Sequence, residues 1–225
     1  MLIPLPCAVC GAVDGALADQ LCRACLGDLP AHPPGVCQGC GTVLGDAAVC
    51  SRCFVPTPAF DGCIAGCMYT YPVNQVIKKL KYQARLDLVR PLCLPLIERI
   101  GYEGVALPDC LVPTPLHGSR LRARGFNQAG EIAGVLAQNL SLPVDDRLVR
   151  RQKNTLQQYN LSPEQRSTNV RGAFILLKSI GYERVAIVDD VLTSGATANE
   201  LALLLKRNGV AHVQVWCAAQ AAPAG

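Results

Sequence analysis

The chain has 225 residues, enough for one full domain and a small appendage. Half of the residues are apolar, in short segments that never approach the roughly 20 consecutive positions needed to cross a bilayer, and residues 1–6 lack the basic start of a secretory signal, so the expectation is a soluble, cytoplasmic protein. The net charge of +4 is unevenly placed: residues 61–180 hold sixteen Lys and Arg against nine Asp and Glu, a balance that suits a polyanionic ligand such as pyrophosphate or nucleic acid.

Four Cys-x-x-Cys pairs fill the amino-terminal segment: Cys7/Cys10, Cys22/Cys25, Cys37/Cys40 and Cys50/Cys53. Thirteen cysteines, an odd number in a chain without an export signal, argue against a disulfide framework and for tetrahedral thiolate sites. The gaps between Cys10 and Cys22 and between Cys40 and Cys50 are short enough for consecutive pairs to close separate knuckles. Two structural Zn2+ sites are therefore expected in a ribbon domain over residues 1–55. Spacing alone leaves a cross-braced pairing open, first pair with third and second with fourth. So small a segment with few aromatics needs its metal, and structural zinc stabilises by on the order of 10 kcal/mol. Cys63, Cys67, Cys93, Cys110 and Cys217 read as small buried hydrophobes.

A proline-punctuated stretch, residues 54–59, marks the boundary to a second domain over residues 61–225. A strand is predicted over 62–71 and a helix over 73–82, with Val73, Val76, Ile77 and Leu80 on its buried face and Lys78, Lys79 and Lys81 around it. Those lysines and Arg85 form a candidate nucleic-acid patch. Residues 88–100 read as helical despite Pro91 and Pro95. A short strand from Cys110 then ends in Pro113-Thr114-Pro115, followed by a basic segment with Arg120, Arg122 and Arg124. A helix comes next, with Ala129, Ile132, Ala133 and Leu136 on one stripe.

Beyond a predicted strand over 143–149, residues 150–172 lack an apolar period and are long for a connection in a compact domain. They read as a polar, basic flap that closes over a reactive ligand and excludes water. His117, a loop histidine without a visible partner, is read as polar surface.

The richest stretch runs from Val185 to Thr197. Four apolar residues make a buried strand, Asp189 and Asp190 follow, and Thr193-Ser194-Gly195-Ala196-Thr197 opens a helix with Ala198, Leu201, Ala202 and Leu205 on its buried face. Gly195 admits a close backbone approach, and the first N–H groups of the helix point at the positive end of its dipole, so the turn is a phosphate cup. The hydroxyls of Thr193, Ser194 and Thr197 add donors, and the two carboxylates can accept from neighbouring sugar hydroxyls. Together these groups describe a 5-phosphorylated ribose. A Walker loop is excluded, since no Gly-Lys-Ser/Thr end is present.

This segment resembles the signature of the type I phosphoribosyltransferases. Taken whole, the chain resembles the ComF family, which includes GntX-like proteins. The matching pieces are the eight paired cysteines, Lys81-Tyr82, residues 112–117, residues 124–129, Thr155, Gln158, Leu161, Arg166, Asn169, residues 172–174 and residues 188–197, and they span nearly the full length. The resemblance implies an α/β type I phosphoribosyltransferase fold, a mostly parallel sheet flanked by helices with a small hood over about 61–100. It implies phosphoribosyl pyrophosphate carried with Mg2+, the phosphoribose on Asp189, Asp190 and residues 193–197, and the pyrophosphate on Thr114, Arg122 and Arg124. Arg151, Thr155, Gln158 and Arg166 would belong to the flexible loop. Family members handle single-stranded DNA during natural transformation, which implies that DNA and the DNA-uptake machinery are partners. The expected activity is ribosyl transfer to an unidentified acceptor. The alternatives are a salvage phosphoribosyltransferase acting on purine or pyrimidine bases, and a non-catalytic, ligand-sensing DNA-binding factor.

Overall fold

The computed structural model describes residues 6–13, 17–18, 20–33, 35–37, 44, 50, 57–153 and 169–221. At the amino-terminal end β1 (Leu17–Ala18) pairs antiparallel with β2 (Leu21–Cys22), which leads into the short α1 (Arg23–Gly27). The remaining elements follow as β3 (Gly62–Met68), α2 (Val73–Gln83), α3 (Val89–Glu103), β4 (Cys110–Pro113), α4 (Gly118–Arg124) and α5 (Gln128–Leu140). After these come β5 (Val149–Arg151), β6 (Phe174–Leu176), β7 (Arg184–Leu192), α6 (Ala196–Arg207) and β8 (His212–Gln220).

Four strands form one parallel sheet in the order β3-β8-β7-β4. Its central strand β7 reads as an apolar run because both faces are covered. Ala186 and Val188 pack with Ile77, Leu80, Leu96 and Ile132 from α2, α3 and α5 on one face. Val185 and Ile187 pack with Leu201 and Leu205 of α6 on the other, where the antiparallel β5–β6 pair adds Val149 and Phe174. The result is three layers with the carboxyl ends of β4 and β7 side by side, the place where open α/β sheets hold ligands.

Segment 61–100, expected as a hood, supplies the edge strand β3 to this sheet as well as two helices on one face. Gly66 is what lets α3 lie so close: a Cβ there would stand 2.8 Å from the backbone nitrogen of Leu96. Pro95 lies inside α3 without ending it. The strand expected over 143–149 begins only at Val149, and upstream of it Val144 makes a single bridge to Leu111. Residues 143–148 lack the alternation that would pair them further.

The ribbon is stitched to the sheet. Ala31 bridges Cys67 in the edge strand, the Met68 N–H donates to the Pro30 carbonyl at 2.8 Å, and the His32 N–H donates to the Gly66 carbonyl at 3.2 Å. The buried His32 ring reaches Gln220 at 2.7 Å, and Arg99 donates to the carbonyls of both His32 and Ala65. These contacts cover an otherwise open edge, the usual liability of a sheet.

Candidate functional site

Parallel registry assembles the site. Pro113 of β4 is paired with Val188 of β7, and the Thr114 N–H donates to the Val188 carbonyl at 2.8 Å, so Thr114 comes to rest beside Asp189. Its hydroxyl is buried with no partner among the described residues, as is the side-chain oxygen of Gln128 at the start of α5. Buried polar atoms of this kind are normally hydrogen-bonded to protein, water or ligand. Asn127 caps α5 and ties the two elements together by donating to the Thr114 carbonyl at 3.1 Å.

Alternation along β7 carries Asp190 out on the α2 face, where the Lys81 ammonium closes an ion pair with Oδ2. By the same alternation Asp189 emerges on the other face, half-buried, its Oδ1 accepting from the Asp190 N–H at 2.8 Å. Burial, and then the neighbouring charge of Asp190, push the Asp189 carboxyl up to about 7; the Asp190 N–H and Lys81 oppose the rise. Burial alone would lower Lys81, but Asp190 and Asp189 outweigh it and hold the ammonium above its usual range. Near neutrality the end of β7 therefore carries an ion pair on its α2 face and, on the other face, a carboxyl raised to about 7.

Immediately after β7 the chain turns through Thr193 and Ser194, both exposed, into Gly195 at φ 74°, which caps α6. That left-handed angle is why glycine stands here, since the buried Phe60 ring beneath is a comfortable 3.9 Å from any added Cβ. The Ser194 hydroxyl accepts from the Ala196 N–H at 3.5 Å. Ala196 and Thr197 are half-exposed at the start of the twelve-residue helix, at the positive end of its dipole. A groove of about 540 Å³ continues from Ala196 along the outer side of α6, past Asn199, Glu200 and Arg171, without reaching either aspartate.

The basic segment after β4 is a helix of its own, α4, capped by His117, whose Nδ1 accepts from the Ser119 N–H at 3.3 Å. Arg122 is exposed and lies over Gly118, whereas Arg124 stands 5.9 Å from the centre of the Tyr82 ring. Arg151, expected on the flexible loop, belongs to β5 instead. It is buried, with its guanidinium 5.4 Å from the Phe174 ring on the partner strand β6. Burial and then Arg120 push Arg151 below its usual range, with Asp189 pulling the other way, so these three groups share one field. Thr155, Gln158 and Arg166 lie outside the described residues.

The lysine patch is largely spent internally. Lys81 holds Asp190, Lys79 donates to the Ala8 carbonyl in the ribbon, and Arg85 forks onto Asp87 at 2.7 Å and 2.9 Å. Lys78 is exposed. In sequence Lys81 reads only as part of the lysine patch and of the family-matched Lys81-Tyr82 pair, and nothing local signals its ion pair with Asp190.

In the ribbon the sulfurs of Cys7, Cys10, Cys22 and Cys25 all lie within 4.8 Å of one another, so consecutive pairs close this site and the cross-braced alternative falls. Burial would raise the Cys7 thiol, but the N–H groups of Cys10, Cys22 and Val9 bring it down to about 6, while burial and the neighbouring thiols hold Cys25 above its usual range. The donor set is that of a structural zinc site. Of the second set, Cys37 and Cys50 are buried together, with the Cys50 N–H donating to the Cys37 sulfur at 3.3 Å. Cys40 and Cys53 lie outside the described residues.

The double zinc ribbon family model matches residues 1–54. Competence protein F of Haemophilus influenzae is 34% identical over 209 residues, 89% of this chain and 90% of that one. The chain belongs to the ComF family. The DNA utilization protein YhgH of Salmonella typhi and that of Escherichia coli K12, each 34% identical over 187 residues, cover 81% of this ComF chain and 82% of their own. A purine phosphoribosyltransferase from Pyrococcus horikoshii Ot3 is similar in structure at a TM-score of 0.33 and 16% identity, over 57% of this chain and 70% of that one. No helix among the described residues of the ComF chain is long and apolar enough to cross a membrane.

Proposed function

We propose that this ComF-family protein binds the ribose 5-phosphate group of phosphoribosyl pyrophosphate in the turn at residues 189–197, and that it serves the handling of incoming single-stranded DNA during natural transformation. The observation that carries the first part is the place of Asp189 and Asp190, at the carboxyl end of β7 and just ahead of the left-handed Gly195 turn that starts α6. The 5-phosphate would take the N–H groups and hydroxyls of residues 193–197, and Asp189 and Asp190 the ribose hydroxyls. The unpartnered Thr114 hydroxyl, with Arg122 and Arg124, would face the pyrophosphate. The second part rests on relatives named for competence and for DNA utilization.

Magnesium fits this site as a companion of the pyrophosphate. With Asp190 engaged by Lys81, Asp189 alone is too few oxygens for a divalent cage, and Mg2+ commonly reaches proteins through substrate phosphates and one or two carboxylates. Its contribution when bound would be to offset charge on the leaving pyrophosphate. Two structural zinc sites would hold the ribbon, on Cys7, Cys10, Cys22 and Cys25 and on Cys37, Cys40, Cys50 and Cys53.

Transfer of the ribosyl group to an acceptor is separable from binding. The test is pyrophosphate release by the zinc-loaded protein from Mg-phosphoribosyl pyrophosphate, offered single-stranded oligonucleotides and free nucleobases in turn. Release that disappears in the Asp189→Asn, Asp190→Asn pair supports transfer, and a nucleobase acceptor identifies a salvage enzyme. Silence with every acceptor removes the transferase and leaves a ligand-sensing DNA-binding factor.

A further inference from the structure

Of the lysines in the sequence patch Lys78 is still exposed, and near the end of the same helix an arginine stands over an exposed aromatic ring. Tyr82, near the end of α2, is 73% exposed, and Arg124 from α4 lies over it at 5.9 Å. One position before it, Lys81 holds Asp190 at the end of β7, so Tyr82 is one residue along the helix from a contact with the proposed ribose site. Gln75, Lys78 and Tyr82 are all exposed at the spacing of one helix ridge, and Lys78 and Tyr82 are i, i+4 neighbours roughly 5–6 Å apart at Cβ. Tyr71, 68% exposed, sits in the turn that opens the same helix. An exposed tyrosine on a helix of a basic segment, with a guanidinium against it and a second exposed tyrosine in the turn before that helix, combines the two features that single-strand binding uses: π-faces for bases and cations for phosphates.

We propose that the Tyr82 ring, backed by Arg124, is a stacking platform for a base of single-stranded nucleic acid, with Lys78 as a flanking phosphate contact. The occupant rests on the DNA-handling reading above; the position rests on the geometry alone. A base stacks on the solvent face of Tyr82, with Arg124 over the ring. The contact is tolerant of sequence, because every base presents a π-face.

The test is fluorescence anisotropy of a labelled oligothymidylate against the zinc-loaded full-length protein and three variants. Tyr82→Ala is expected to weaken binding roughly tenfold, the size of one lost base stack. Tyr82→Phe keeps the ring and should stay within about twofold of the parent, and Tyr102→Ala, at a 92% exposed tyrosine on α3, should change nothing. On a strand of abasic sites, which keeps phosphates and lacks bases, the Tyr82→Ala loss should vanish. An unchanged affinity in Tyr82→Ala, an equal loss on the abasic strand, or no oligonucleotide binding by the parent protein overturns the platform. Calorimetry of phosphoribosyl pyrophosphate with the same proteins separates the two readings: a parent that binds the strand through Tyr82 but not the sugar phosphate keeps the platform and loses the cup.

Discussion

At the scale of single residues, two buried charges govern the pocket. The Lys81 and Asp190 side chains are 21% and 7% exposed, so removing one partner strands the other's charge in a poorly solvated place. Lys81→Met is expected to lower stability by about 2 kcal/mol, less than for a fully buried pair since the lysine keeps some solvent. Adding Asp190→Asn should recover much of that loss, and urea unfolding of the zinc-loaded proteins checks both. Asp189 sets the pH dependence. Its carboxyl is raised to about 7 in the fold against about 4 in an unfolded chain, so its contribution to stability is full below the unfolded value and fades as pH climbs through 7. Between pH 6 and 8, where the ribbon thiolates keep their metal, stability should fall with rising pH in the parent and stay flatter in Asp189→Asn. Affinity for phosphoribosyl pyrophosphate should move the opposite way in the parent and rise with pH, since an ionised carboxylate is the better acceptor for sugar hydroxyls.

At the scale of elements, close approach and turn geometry make the sharpest demands. Gly66→Ala would drive a methyl group into the backbone of α3 at Leu96, a rigid neighbour, and is expected to destabilise by about 3 kcal/mol. Gly195→Ala meets only the Phe60 ring at ordinary contact distance, so its cost is that of the left-handed backbone, about 1 kcal/mol. Thermal or urea unfolding ranks the two, and an order reversed from this would contradict the packing described for β3 and α3. Local signals of this kind were readable from the sequence: the apolar run, the paired aspartates, the Gly195 turn and the Cys-x-x-Cys pairs, whose consecutive closure at Cys7, Cys10, Cys22 and Cys25 the fold then decided. What was not readable depends on chain segments meeting from far apart. Lys81 reads as one more surface lysine until α2 is laid across the end of β7. Arg151 reads as loop until Phe174 returns beside it, and Tyr82 gains meaning only when α4 brings Arg124 over its ring. Residues 62–68 show strand character in sequence, but their place at the sheet edge under the ribbon is decided by pairing with β8 and with residues 30–32.

At the scale of the whole molecule, the ribbon and the cup are joined through α2. Lys79 donates to the Ala8 carbonyl within the first cysteine knuckle, and two positions on Lys81 holds Asp190. Zinc removal should therefore be felt at the far end of that helix as well as in the ribbon. With a chelator, or in Cys25→Ser, hydrogen exchange is expected to accelerate first at β3 and α2 and only later at β7; uniform protection across all three would contradict the coupling. The surplus of positive charge in residues 61–180 acts at this scale too, drawing polyanions toward a surface on which Arg122 and Lys78 are exposed.

The most direct measurement is isothermal titration of Mg-phosphoribosyl pyrophosphate into the zinc-loaded protein, with the Asp189→Asn, Asp190→Asn pair and Gly195→Ala beside it. The cup predicts saturable one-to-one binding in the parent, loss of at least tenfold in affinity in the aspartate pair, and a smaller loss in Gly195→Ala. No heat of binding in a folded parent, or full affinity in a folded aspartate pair, would contradict it.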